Sequence, residues 1–253
     1  MYFSIVQYNP AWEDVESNKT KIIDLLNKYN PKPGVIVFPE MTLTGFTMKP
    51  DTFAETAEGS SIKFFAEIAK KYSSDVFAGV IFKEGNSFFN TLIHLSKDGV
   101  LKKIYRKIHP FSYGDENKHY EGGNETVITE IDGNKIGLSI CYDLRFPELY
   151  RNYGKERVNL IINIANWPIT RIHHWRALLR ARAIENLCFV IGVNRVGNDP
   201  NLSYSGCSSI FDPTGEEMVC IVDEECISST DLQLGFANNI REKFPFLNDI
   251  KLI

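Results

Sequence analysis

Apolar positions along this chain alternate between two spacings. Residues 3–8 form a short apolar run that predicts a strand. Residues 18–29 follow, with Ile22, Ile23, Leu25 and Leu26 at the spacing of an amphipathic helix. Residues 34–39 (GVIVFP) are continuous and β-branched, the pattern of a strand buried on both faces. Residues 60–72 place Ile62, Phe65, Ala66, Ala69 and Tyr72 on one helical stripe, and residues 75–82 read as another strand. This β-α-β-α-β order predicts helices packed on a sheet.

The middle of the chain changes character. Residues 90–96 and 100–108 flank Lys97-Asp98-Gly99, and residues 125–131 and 135–140 flank Asp132-Gly133-Asn134. Both connections have the Asp-Gly chemistry of tight hairpins, so antiparallel strands extend the sheet. The alternation then resumes: helix at 146–156, strand at 158–165, helix at 172–186, strand at 188–194, and a hairpin over 208–221 around Asp212-Pro213-Thr214-Gly215. These strands are too many for one flat layer. The expected class is α/β, with two mixed sheets face to face and helices outside. No repeat, low-complexity tract or linker interrupts the chain, so one domain is expected over residues 1–253.

Composition narrows the function. The 253 residues are 43% hydrophobic and 12% aromatic, enough to build a substantial core. A net charge of -4 gives no electrostatic case for nucleic acid or an anionic membrane. No run reaches the roughly 20 apolar residues of a membrane span. The opening MYFSIVQYNPAW lacks a basic segment and a signal-type apolar block, so a cytoplasmic protein is expected. Five cysteines without a C-x-x-C pair argue against a disulfide framework or a zinc site.

Three strand ends carry unusual chemistry. Glu40 directly follows an apolar strand, where partial desolvation raises a carboxylate's pKa and suits a general base; an ordinary glutamate turning into solvent is the plain alternative. The basic segment Tyr105-Arg106-Lys107-Ile108-His109 ends a hairpin strand and could simply protect a sheet edge. Cys141 ends a third apolar strand and precedes a helix entry marked by Pro147 and Glu148. A thiol at such a bend lies near backbone N–H groups, which favour the nucleophilic thiolate; the alternative is a buried cysteine acting as a small hydrophobe. Cys188, Cys207, Cys220 and Cys226 lack this context.

These segments (FPE at Glu40, YRKIHPF at Lys107, ICYDLRFPE at Cys141) resemble the Glu-Lys-Cys triad of the nitrilase superfamily of carbon–nitrogen hydrolases. The resemblance extends through MTLTGF, ANWP and HWRALLRARAIEN, and the later blocks are similar to its ω-amidase branch. It implies an α-β-β-α sandwich, a homodimer, a small-molecule amide substrate, and neither metal nor cofactor. It also implies a second glutamate between lysine and cysteine. Glu116 fits the spacing, with Glu121 bracing the neighbouring turn.

On this reading Cys141 attacks an amide carbonyl, Glu40 moves protons, and Lys107 with the Tyr142 backbone N–H receives the oxyanion. The expected substrates are ω-amides of 2-oxo acids such as 2-oxoglutaramate or 2-oxosuccinamate. N-carbamoyl amino acids or deaminated glutathione are the alternatives within the superfamily. Arginine suits a distal carboxylate. Arg145 is the first candidate, unless it pairs with Glu148, with Arg171 and Arg195 behind it. Trp167, Phe46 and Met48 are candidate pocket walls. Three rival readings are a Cys-His hydrolase using one of His94, His109, His119, His173 or His174, a metal hydrolase, and a catalytically silent scaffold.

Overall fold

The structure, a computed structural model, describes residues 1–252. In chain order its first half runs β1 (Tyr2–Gln7), α1 (Val15–Tyr29), β2 (Gly34–Val37), α2 (Pro50–Phe53), α3 (Ser60–Tyr72), β3 (Asp75–Glu84), β4 (Ser87–Leu95) and β5 (Leu101–Arg106). The second half runs β6 (Ile128–Ile131), β7 (Asn134–Ile140), α4 (Pro147–Lys155), β8 (Leu160–Ala165), α5 (Ile172–Asn186) and β9 (Phe189–Asn194). It closes with β10 (Val196–Asn198), β11 (Ser203–Phe211), β12 (Glu217–Val222), β13 (Cys226–Asp231) and α6 (Phe236–Lys243).

Two mixed sheets result. One has the order β13-β1-β2-β3-β4-β5, the other β10-β11-β9-β8-β7-β6 with β12 beside β11. β1, β2 and β3 are parallel, as are β7, β8 and β9. The strand period of two sends alternate residues to different layers. Phe3, Ile5, Val35, Val37 and Phe77 share one core with Leu138, Ile140, Ile162 and Val193 of the other sheet. Val6, Ile36, Val76 and Ala78 instead pack on Ile22 and Leu26 of α1 and Phe65 and Ile68 of α3. The second sheet receives Trp175 and Leu179 of α5 so closely that a Cβ on Gly192 would lie 2.3 Å from Leu179.

The differences from the sequence reading have local causes. Helix α1 begins at Val15 because Asp14 caps it, accepting the Ser17 N–H at 3.0 Å. The expected helix at 146–156 begins at Pro147, since Cys141–Arg145 first forms a tight 3-10 turn. The strand expected at 125–131 shrinks to β6. Periodicity gave no element beyond residue 221, yet β13 pairs antiparallel with β1 from Tyr2↔Asp231 to Gln7↔Cys226. Its sequence, CISSTD, is polar over its last four residues, as an edge strand can be.

Candidate active site

The parallel strands β2, β7 and β8 deliver their carboxyl ends to one place, and each is followed by a polar group. After β2 the chain turns at Met41, whose φ is 44°. This turn lies against β3 at Gly79, where a Cβ would stand 2.4 Å from Met41 N and 2.6 Å from Glu40 Cα. A residue without a side chain is what lets Glu40 sit there. Glu40 is 1% exposed, not a solvent-facing strand end. Its Oε1 accepts from Lys107 Nζ at 2.9 Å and Asn90 Nδ2 at 2.6 Å. Its Oε2 accepts the Asn166 backbone N–H at 2.8 Å, which ties the first sheet to the end of β8.

Lys107 follows β5, and its backbone N–H is held by the Asn90 carbonyl at 2.8 Å. Its ammonium also reaches Glu116 Oε2 at 2.8 Å. Burial alone would lower the lysine's pKa, but the Glu116 and Glu40 carboxylates hold it well above the ordinary value, so the ammonium persists. Glu116 sits in a short 3-10 turn and is pinned further by the Phe111 backbone N–H at 2.6 Å and by Asn90 Nδ2 at 2.8 Å. Burial raises its pKa, with Lys107 opposing. Glu121 lies elsewhere, accepting from Ser87 Oγ at 2.5 Å.

Cys141 takes a φ of 46°, a left-handed conformation that a side chain adopts only when its surroundings hold it. Asn163 of β8 accepts its backbone N–H at 3.1 Å and is itself anchored on Tyr150 at 2.8 Å. Asp143 accepts the Ile140 N–H at 2.9 Å and the Tyr105 hydroxyl at 2.7 Å, locking the turn beneath the thiol. The expected thiolate is not what this environment favours. Burial, then the Glu40 carboxylate, push the thiol's pKa well above its ordinary value, with Lys107 opposing. Partial charges from backbone N–H groups are outweighed by a full negative charge in a dry setting. These influences favour the neutral thiol over the thiolate.

Cys141 opens into a cleft lined by Phe46, Tyr142, Arg145, Asn166, Trp167 and Arg171, among others. Arg145 makes no ion pair with Glu148. Its guanidinium lies 4.9 Å over the Trp167 ring and 3.2 Å from His174 Nδ1. Desolvation and the neighbouring His173, Arg145 and Arg171 lower the His174 pKa, so a neutral imidazole orients Arg145 without cancelling its charge. Arg171 lies 5.6 Å over the Phe111 ring. Among the described residues neither arginine has a carboxylate partner.

Two expected pocket residues are not there. Met48 packs with Met41, Ile81 and Tyr120 in a separate apolar cluster. Arg195 is fully buried and bound to Asn9 Oδ1 and the Asn198 carbonyl, both at 2.8 Å. His94 is engaged by Thr129 and Asp75, and His109 by Asp143; no histidine bonds to Cys141 among the described residues. No three His, Cys, Asp or Glu side chains cluster as metal ligands among those residues, and no helix of the structure is long and apolar enough to cross a membrane.

The residues that sequence reasoning missed are asparagines: Asn90, Asn163 and Asn166. Asn163 stands inside an otherwise apolar strand, LIINIA, and Asn90 inside a mainly apolar one, SFFNTLIHL. A buried amide must be hydrogen-bonded, so an asparagine in such a run signals a polar network nearby.

The family model of carbon–nitrogen hydrolases matches residues 3–242. A 2-oxoglutaramate amidase of Bacillus subtilis (strain 168) is 33% identical over 98% of this chain and 96% of its own length. An omega-amidase of Escherichia coli (strain K12) is 36% identical over 85% of this chain and 83% of its own. Among solved structures, a CN-hydrolase superfamily protein from Xanthomonas campestris, crystallised with an arsenic adduct in its active site, superimposes with a TM-score of 0.95 at 33% identity, covering 100% of this chain and 98% of that one.

Proposed function

The chain belongs to the carbon–nitrogen hydrolase family, and from that premise we propose that it hydrolyses the ω-amide of a small 2-oxo acid, such as 2-oxoglutaramate or 2-oxosuccinamate, to the acid and ammonia through a thioester on Cys141. The observation that carries the substrate class is the pair of guanidiniums, Arg145 and Arg171, without carboxylate partners among the described residues, in the cleft that holds Cys141. A linear amide with a carboxylate at its far end answers both needs. The relatives named 2-oxoglutaramate amidase and omega-amidase support the same choice.

The geometry supports the following roles. Glu40 accepts the thiol proton as Cys141 Sγ attacks the amide carbon. Lys107 Nζ and the Tyr142 backbone N–H stabilise the oxyanion. The Tyr142 N–H is free to do so, because the first amides of a 3-10 turn have no acceptor within it. Each such donor is typically worth about 10²–10³ in rate. Glu40 returns its proton to the nitrogen, the C–N bond breaks, and ammonia leaves a thioester. Glu40 then takes a proton from water as its oxygen attacks the thioester carbon. Collapse frees the acid, and the sulfur regains its proton. Glu116 holds Lys107 in place and, through Asn90, helps to fix Glu40.

The test is ammonia release from 2-oxoglutaramate, 2-oxosuccinamate, an N-carbamoyl amino acid and an aliphatic nitrile, with Cys141→Ala as control. The 2-oxo acid amides are turned over fastest, and folded Cys141→Ala is inactive. Faster turnover of the carbamoyl compound or the nitrile refutes the substrate class. Activity in Cys141→Ala above a contaminant level refutes the mechanism.

A further inference from the structure

Asn166 directly follows β8, is bonded to Glu40 and lines the cleft that holds Cys141. Its backbone N–H donates to Glu40 Oε2 at 2.8 Å. Its Nδ2 donates to the Glu40 backbone carbonyl at 2.8 Å and to Oε2 at 3.3 Å. Both neighbours of that nitrogen are acceptors, so the amide can point only one way. Turned over, it would set oxygen against oxygen. The remaining atom, Oδ1, is buried and has no hydrogen-bond partner among the described residues, although the residue is only 5% exposed and lines the cleft beside Cys141. A buried amide oxygen left without a donor is costly, so a ligand that brings a donor to it gains a hydrogen bond that the protein itself does not supply.

A carboxamide brought to Cys141 carries the donor that this oxygen lacks. Its carbon must meet the sulfur, its oxygen must meet Lys107 and the Tyr142 N–H, and its –NH2 is then left facing Glu40 and Asn166. We infer that Asn166 Oδ1 accepts an N–H of the scissile carboxamide, which makes Asn166 a substrate-binding residue selecting primary amides over groups of equal shape without N–H. This rests on the amide substrate proposed above. The contact also orients the nitrogen: with one N–H held by Asn166, the lone pair that develops as the carbonyl becomes tetrahedral is turned toward the proton on Glu40.

The test separates binding from chemistry by using Cys141→Ala protein, which cannot form the thioester. Two ligands of one shape are titrated calorimetrically: 2-oxoglutaramate and 2,5-dioxohexanoate, its analogue with methyl in place of the amino group. The amide binds at least about tenfold more tightly, the scale expected when a buried acceptor gains or loses its donor. Adding Asn166→Ala removes that preference by weakening the amide while leaving the ketone within about twofold. Asn166→Ser takes its place if the alanine protein is not recovered folded. Equal binding of the two ligands, or equal losses on both when Asn166 is changed, overturns the inference and leaves Asn166 as a brace for Glu40. If neither ligand binds, the 2-oxo acid reading has failed rather than this one, and propionamide against butanone decides the role of Asn166 by the same criterion.

Discussion

Asp143, two residues beyond Cys141, accepts both the backbone N–H and the ring Nδ1 of His109, two residues beyond Lys107, at 3.0 and 2.8 Å. One buried carboxylate thus fastens the loop carrying the ammonium to the turn carrying the thiol. Removing it orphans the Tyr105 hydroxyl and the Ile140 N–H as well. At about 1–3 kcal/mol for each of these two fully buried groups left unpaired, Asp143→Ala should cost about 2–6 kcal/mol. Denaturant unfolding measures this. Activity should fall by about 100-fold in protein that is still folded, because small displacements of reacting groups are costly. A stable variant with unchanged kcat would show that the two loops hold their places without this link.

The charge next to Cys141 makes a prediction about thiol reactivity. Glu40 raises the pKa of the thiol and Lys107 lowers it. Alkylation of Cys141 by iodoacetamide should therefore rise with pH past the range of a free thiol, about 8.5. Glu40→Gln removes a negative neighbour, so its profile should shift to lower pH even as amidase activity is lost. Lys107→Met removes a positive neighbour and should shift the profile upward. A plateau below about pH 8 with both residues intact would mean that the resting sulfur is a thiolate.

Asn90 spends both N–H bonds of one amide group on the two buried carboxylates, 2.6 Å from Glu40 and 2.8 Å from Glu116. Asn90→Ala should lower kcat by about 10–100-fold, with little change in KM, because alignment is lost while the cleft is kept. Asn90→Asp places a third carboxylate against the pair and should be worse at about pH 8. It should recover relative to Asn90→Ala below about pH 6, where the introduced carboxyl group is protonated and can donate one of the missing bonds. Parallel pH profiles for the two variants would remove Asn90 from the network.

Arg145 and Arg171 are predicted to act on one end of the substrate only. Arg145→Lys and Arg171→Gln should each lower kcat/KM for 2-oxo acid amides by about 10–100-fold, the scale of a lost charge-assisted hydrogen bond. Propionamide, which has no carboxylate, should change less than threefold. Equal losses on both substrates would make the arginines supports for Trp167 and Phe111 rather than carboxylate ligands.

Much of this site was legible in the linear chain, for a reason. Glu40 and Cys141 each follow an apolar run, Lys107 ends a hairpin strand, and Glu116 stands where the family resemblance expects it. A polar group after a buried strand has few places to go but the end of the sheet. Asn90 and Asn163 left a trace that periodicity passes over, since a single amide does not break a strand. Strand β13 left almost none, because its last four residues are all polar and show no apolar alternation.

The order of apolar runs by itself determined the layers, the two sheets and which residues end their strands, because the alternation of side chains along a strand is a local property. Only the folded chain set the burial of Cys141 and Glu40, the place of Arg145 and Arg171 along the cleft with Arg195 buried elsewhere, and the exclusion of Met48 from it. Those outcomes depend on distances between groups far apart in the chain and on how completely water is removed around them. Electrostatic energy follows both, and neither is written in the spacing of residues.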